Sequence, residues 1–102
     1  MASYEEFKAS KKGQAIEAIL MDHDQQVRMI ALAEAGIPPV QAVGKAILAA
    51  IGDLDHPERQ HVGRWVRDIL GPKGWKPTRK ARVAEGNLFS RGAVYALIGE
   101  AS

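Results

Sequence analysis

The sequence predicts a mostly helical α+β fold, in which three or four helices are followed by a C-terminal β-hairpin. Apolar residues recur at helical spacing as far as residue 70, and two short runs of strand type follow. Gly71 and Pro72 separate the two regions, because such a pair ends a helix. The last helix and the hairpin are both basic, which is the arrangement of a recognition helix and its wing. We therefore expect a winged helix-turn-helix domain.

Residues 1–13 are expected to be flexible or briefly helical, ahead of a winged-helix domain over residues 14–102. Ser3 and Glu6 have the spacing of a capping box. Residues 14–35 carry an apolar stripe at helical spacing, formed by Ile16, Ile19, Leu20, Val27 and Ile30. The polar sequence at 21–24 leaves open a break into two helices, with Asp22 or Asp24 capping the second.

Residues 39–51 are predicted to form the next helix, with Pro39 at or near its first turn. Its buried side is expected to consist of Val40, Val43, Ile47, Leu48 and Ile51. Gly44 lies among these residues, at a point where a neighbouring helix can approach closely. The connection to the following helix is longer than the tight turn of a usual helix-turn-helix pair, which is a departure from that motif.

Residues 57–70 form the helix with the clearest division into two sides. Its apolar side consists of Val62, Trp65, Val66, Ile69 and Leu70. Gln60, Arg64 and Arg67 fall on the opposite side, at spacings of four and three. An amide can read adenine and a guanidinium can read guanine, so these three residues are predicted to contact DNA bases.

The two runs of strand type are residues 79–84 and 92–98. On the first strand, Ala81 and Val83 are expected to face the core, with Lys80 and Arg82 facing solvent. On the return strand the sequence leaves two inward-facing sets open, either Val94, Ala96 and Ile98 or Ala93, Tyr95 and Leu97. The loop between the strands, residues 85–91, is too long for a two-residue turn and is interpreted as a mobile wing tip.

Charge is divided unevenly along the chain. Residues 1–55 carry five Lys/Arg and eight Asp/Glu, a net charge of −3, whereas residues 56–102 carry nine and four, a net charge of +5. This asymmetry is typical of a protein that binds a polyanion, and a solvated basic face without a partner is the alternative. We take double-stranded DNA as the partner, with phosphate contacts from Arg59, His61, Lys73, Lys76, Arg79, Lys80, Arg82 and Arg91.

Nothing in the sequence indicates an enzyme, a metal site, a cofactor or a small-molecule substrate. The three histidines lack the spacing of a zinc site, and residues 71–74 lack the rest of a P-loop. The chain has no cysteine, no apolar run of the ~20 residues that a membrane helix needs, and no secretory leader pattern. These features predict a cytoplasmic protein without membrane association.

Residues 62–95 resemble the winged-helix segment at the C-terminal end of some phage and plasmid replication proteins of the primase–helicase type. The matching residues are Val62, Gly63, Arg64, Ile69, Leu70, Gly74, Trp75, Arg79, Lys80, Arg82, Val94 and Tyr95. The resemblance covers about forty residues, and residues 1–50 do not take part in it. It implies a DNA-binding or docking module of phage, plasmid or mobile-element origin, acting in replication or transcription control, and not the enzymes that carry this segment.

A non-catalytic protein-interaction module of the same fold is the alternative function. Leu88 and Phe89 are interpreted as exposed apolar residues of the wing tip, where they would dock on a replication or phage protein, although local packing in the loop would also account for them. The N-terminal segment is a second candidate surface. The long helix over residues 14–35 offers a means of forming a homodimer, although no apolar seam requires it.

Overall fold

The structure is a computed structural model, and it describes residues 2–98. Within this range five α-helices precede a two-stranded antiparallel sheet, which confirms the mostly helical α+β class and the C-terminal hairpin. The elements are α1 (Tyr4–Ala9), α2 (Lys11–Leu20), α3 (His23–Glu34), α4 (Val40–Ile51), α5 (His56–Leu70), a 3-10 turn (Gly71–Lys73), β1 (Trp75–Arg82) and β2 (Arg91–Leu97). None of the helices in the described range combines the length and apolar character that crossing a membrane requires.

The helix predicted over residues 14–35 is two helices. Asp22 is the cap of α3, because its carboxylate accepts a hydrogen bond from the backbone N–H of Gln25 at 3.0 Å. The break restarts the helical phase, so α3 buries Met29 and Ala33. Val27 is 52% exposed. Its assignment to the apolar stripe is wrong because the break before α3 turns this residue away from the core.

Helix α1 joins the same core as the other helices. The predicted capping box is present, with the Ser3 hydroxyl accepting from the Glu6 N–H and the Glu6 carboxylate accepting from the Ser3 N–H, both at 3.2 Å. Tyr4 and Phe7 are buried. Of the two forms expected for residues 1–13, flexible or briefly helical, the structure therefore has a docked helix over residues 4–9.

One apolar core connects the five helices with the hairpin. Its fully buried side chains include Ile16, Leu20, Met29, Val43, Ile47, Val62, Val66 and Leu70. Leu48 was expected in this core but is 37% exposed. The expectation is wrong because Val40, Val43 and Ile47 already define the buried stripe of α4, and Leu48 lies about 100° further round the helix.

The hairpin has a bulge in β1, and neither of the two inward-facing sets left open for the return strand describes the burial on β2. The strands pair from Trp75 opposite Leu97 to Arg82 opposite Arg91, and the register shifts between Pro77 and Arg79. β1 therefore begins four residues earlier than the predicted strand. On β2, the neighbours Val94 and Tyr95 are both buried, so the hairpin packs on helices through both faces.

The loop between the strands is packed against α4, which corrects its interpretation as a mobile tip. The Asn87 side-chain amide donates a hydrogen bond to the Gln41 carbonyl oxygen at 2.6 Å. Leu88 and Phe89 are only 7% and 9% exposed. Gly44 permits this contact, because a Cβ there would lie 2.7 Å from Cδ2 of Phe89. The proposed interaction surface at Phe89 is therefore not available to a partner in this structure.

Candidate nucleic-acid interface

The start of α5 is fixed by its own local sequence. Asp55 accepts a hydrogen bond from the Glu58 N–H at 2.9 Å, and Glu58 accepts one from the Asp55 N–H at 3.0 Å. Pro57 lies in the first turn, where its missing N–H has no helical partner to lose. This reciprocal cap sets where the helix begins, and so determines which side chains face outward further along it.

Helix α5 divides into a buried side and an exposed side. Val62, Trp65, Val66 and Leu70 are buried in the core. Gln60, Arg64 and Arg67 are all exposed. These three side chains form what we call the α5 ridge. Their common exposure agrees with the predicted division of the helix, whereas base contact by them stays a prediction.

Helix α1 covers one flank of α5, beside the ridge. The His61 ring lies 5.8 Å from the Tyr4 ring and 5.4 Å from the Phe7 ring, measured between centroids. Its Nε2 is 3.1 Å from the carbonyl oxygen of Ala2. His61 was predicted to contact phosphate; its ring packs against α1 in this structure, and phosphate contact by it stays a prediction.

Arg59, another predicted phosphate contact, holds the connection between α4 and α5. Its Nη1 donates a hydrogen bond to the Leu54 carbonyl oxygen at 2.5 Å and lies 3.6 Å from a carboxylate oxygen of Asp53. Leu54 itself is buried in the core. Arg59 therefore stabilises the long connection, which leaves less of its side chain for an external partner.

Three of the predicted phosphate contacts share one face of the hairpin. Alternation along β2 places Arg91, Ala93 and Tyr95 on the same face. Cross-strand partners also share a face, which adds Lys80 opposite Ala93 and Arg82 opposite Arg91. We call Lys80, Arg82 and Arg91 the hairpin cluster.

The hairpin cluster shares its face of the sheet with Tyr95, which is buried. Burial raises the pKa of the Tyr95 hydroxyl, while Arg67 acts to lower that pKa and Asp68 to raise it. Both of these charged residues belong to α5, and β1 contacts the same helix. We take the ridge and the hairpin cluster together as the candidate interface.

Eight cationic side chains on α5, the 3-10 turn and the hairpin are exposed. None of them forms an ion pair within 4.0 Å among residues 2–98. They are Arg64, Arg67, Lys73, Lys76, Arg79, Lys80, Arg82 and Arg91. Because unpaired cations reinforce one another's potential, these exposed side chains are suited to a polyanion.

Sequence reasoning missed two features of this surface. The first is the hydrogen bond from the Tyr4 hydroxyl to Oδ2 of Asp68, 2.8 Å long and spanning 64 positions of the chain, for which no local pattern is a signal. The second is the direct opposition of Arg82 and Arg91. Val83 donates a backbone hydrogen bond to Ser90 and so closes the loop. If that closing pair were known, counting outward along the two strands would place Arg82 opposite Arg91.

Comparisons with known proteins found no relative of this chain. No protein-family model matches it, and neither the curated proteins nor the solved structures include a match. Among residues 2–98, no three His, Asp or Glu side chains come together in a way that would hold a metal ion.

The hydroxyl of Tyr4, which donates a hydrogen bond to Asp68, leads to a prediction on alkaline stability. Burial, and then the hydrogen bond to Asp68, raise the pKa of Tyr4 above its ordinary value. A raised pKa in the folded state contributes stability below about pH 10, which is lost as the pH rises further. We expect the urea midpoint of the parent to fall between pH 9 and pH 11 by more than that of Tyr4→Phe. An equal fall of the urea midpoint in the parent and in Tyr4→Phe would contradict this account. Tyr95→Phe provides the same comparison for Tyr95, the second buried tyrosine.

Proposed function

We propose that this protein is a winged-helix domain that binds double-stranded DNA, with α5 as the recognition helix and β1–β2 as the wing. The proposal depends most on one observation, the placement of Arg82 directly opposite Arg91. Like charges at opposite positions of a hairpin destabilise the pairing. Such a pair is explained if a polyanion neutralises it, and DNA phosphates would do so.

The two sets of cationic residues suit two different tasks. The hairpin cluster presents three exposed cationic side chains from two paired strands, which fits phosphate contacts that give affinity without sequence choice. The α5 ridge instead presents one amide and two guanidinium groups from a rigid helix. These are the groups that read adenine and guanine in the major groove, so we assign the base contacts to Gln60, Arg64 and Arg67.

The charges at the start of α5 influence how the domain would dock. Asp53, Asp55 and Glu58 surround the first turn, and of these only Asp53 and Glu58 have cationic partners within residues 2–98. Carboxylates repel phosphates at short range. We therefore propose that DNA contacts the later turns of α5 and the hairpin, with the first turn held away from the backbone.

A role in replication or transcription control of a phage, plasmid or mobile element is part of the proposal. Its support is the resemblance of residues 62–95 to the C-terminal segment of primase–helicase replication proteins. The test of the function itself is simpler and needs no known target. A labelled random duplex of about 20 base pairs is titrated with the protein across a range of salt concentrations, followed by fluorescence anisotropy. Absence of binding even at low salt would reject the proposal.

Arg91→Glu is expected to change stability and DNA binding in opposite directions. It replaces a like-charge pair with an ion pair to Arg82, which should raise the free energy of unfolding by about 0.2–1 kcal/mol. The same change removes one phosphate contact and adds repulsion, so affinity for duplex DNA should fall roughly tenfold or more at about 0.1 M salt. Urea unfolding and the anisotropy titration measure the two effects.

Lys11→Glu is the matched control for this prediction. Lys11 is exposed at the start of α2, a helix that belongs to neither the ridge nor the hairpin cluster, and its reversal changes the net charge by the same amount. The control should leave DNA affinity much closer to that of the parent. If Arg91→Glu bound DNA as well as Lys11→Glu does, the hairpin would not be part of the interface.

A further inference from the structure

The side chain of Arg64, a member of the α5 ridge, contacts an aromatic ring of another helix. Its guanidinium carbon lies over the Tyr4 ring, 4.1 Å from the ring centroid, which is within the range of a cation–π contact. Tyr4 is in turn fixed by burial and by its hydrogen bond to Asp68. The exposed Arg64 side chain therefore packs against the ring of Tyr4, which α1 holds in place.

Stacking leaves the recognition chemistry of Arg64 unused. A guanidinium stacks through its flat face, whereas its N–H groups point outward in the plane of the group. Within residues 2–98, Arg64 donates no side-chain hydrogen bond and forms no ion pair. Asp68, one turn further along α5, would be its natural partner, but the structure places the Asp68 carboxylate against the Tyr4 hydroxyl.

We propose that Tyr4 is a positioning residue, which orients Arg64 for bidentate donation to O6 and N7 of a guanine. This inference rests on the proposed DNA-binding function and adds a base preference to it. A free arginine loses much rotamer freedom when it binds, and a stacked one has lost part of that freedom beforehand. By fixing the plane of the Arg64 guanidinium, Tyr4 favours a pair of acceptors that lies in that plane. O6 and N7 of guanine form such a pair in the major groove.

A second cationic side chain, that of Lys8, also contacts the Tyr4 ring. Lys8 Nζ lies 4.9 Å from the centroid of the Tyr4 ring and 5.3 Å from that of Trp65. Lys8 and Arg64 thus contact the same ring from two helices. A base edge that accepts hydrogen bonds would meet both the oriented donors of Arg64 and the added charge of Lys8.

The positioning is tested first in the free protein by NMR. Tyr4→Leu removes the ring, whereas Tyr4→Phe keeps it and serves as the conservative control. In the parent and in Tyr4→Phe, we expect the Arg64 side-chain protons to be shifted upfield by the ring and the rotation about its Cζ–Nε bond to be slow. Tyr4→Leu should lose both signatures. Identical Arg64 signals in the parent and Tyr4→Leu would overturn the positioning role, whatever the protein binds.

The base preference is tested with a duplex that the parent protein selects from a random library. The selected duplex is compared with a copy in which 7-deazaguanine, which lacks the N7 acceptor, replaces guanine. The parent should prefer the guanine form by about tenfold, as a bidentate contact implies. Tyr4→Leu should lose most of this preference, and Tyr4→Phe should retain it.

An Arg64→Ala background separates positioning from mere stabilisation of the fold. If Tyr4 acts through Arg64, then Tyr4→Leu should change the preference for guanine over 7-deazaguanine no further once Arg64 is absent. A parent that binds the duplex without any such preference would overturn the guanine assignment, leaving Arg64 as a phosphate contact. Failure of the parent to bind any duplex would instead overturn the proposed function, and the NMR result would still decide the positioning.

Discussion

Replacing Lys80, Arg82 and Arg91 together by glutamine is expected to lower affinity for duplex DNA by about two to three orders of magnitude at roughly 0.1 M salt. Each phosphate that a cationic side chain neutralises releases condensed counterions and adds about 0.9 to the slope of log K against log salt. The slope of the triple variant should therefore be smaller by about 2.7. Anisotropy titrations of one random duplex at several salt concentrations measure both quantities.

The matched control for this variant removes the same amount of charge elsewhere. Lys11, Arg28 and Lys45 are exposed on α2, α3 and α4, and their replacement by glutamine lowers the net charge equally. We expect the control to keep the salt slope of the parent. Equal reductions in the two variants would mean that binding follows net charge and not the hairpin cluster. Misfolding would not explain a loss of DNA affinity in the triple variant, because this variant relieves the repulsion between Arg82 and Arg91 and so removes a destabilising pair.

The sequence was most informative where structure depends on neighbours in the chain. The two sides of α5 follow from its 3.6-residue period, and the capping box at Ser3 follows from a three-residue spacing. The hairpin could be predicted because the strand-type runs are separated by a break rich in loop-forming residues. Gly44 was correctly marked as a point of close approach, although the segment that approaches is the hairpin loop and not a helix.

The features that could not be predicted depend on contacts between distant parts of the chain. Val27 fits an unbroken stripe, and only the rotation of α3 after Asp22 exposes it. Phe89 has the sequence surroundings of a loop tip, since nothing near it in the chain reveals that Gly44 leaves room for its ring. Val94 and Tyr95 are both buried although they point to opposite faces of β2, and only the tertiary packing on both faces of the hairpin accounts for this.

The candidate site shows the same division. The α5 ridge and the hairpin cluster could be named from the sequence, because exposure follows from periodicity and charge follows from residue type. The support of the ridge could not, since Tyr4 and Asp68 are 64 positions apart. Two predicted phosphate contacts, Arg59 and His61, are charged or polar residues of α5 that tertiary structure uses internally.

Gly13→Ala is expected to lower the free energy of unfolding by roughly 2–3 kcal/mol, more than a glycine change in a helix usually does. A Cβ at residue 13 would overlap the backbone oxygen of Phe7 and lie 2.5 Å from that of Lys8. These are main-chain atoms of α1, which no side-chain rotation can move aside. The substitution should therefore force α1 away from α2, and urea unfolding measures the decrease.

Gly63→Ala is the control, because Gly63 lies inside α5 and, apart from its own stretch of helix, no heavy atom lies within 4 Å of the position its Cβ would occupy. It should raise the free energy of unfolding by about 0.5–1 kcal/mol, since alanine favours a helix and glycine does not. The opposite signs separate steric exclusion at Gly13 from helix propensity at both sites. If Gly13→Ala were also stabilising, α1 would not be held against α2 as closely as the structure has it.

The displacement of α1 in Gly13→Ala would also carry Tyr4 away from Arg64. Gly13→Ala should therefore remove the ring-induced shift of the Arg64 protons, whereas Gly63→Ala should preserve it.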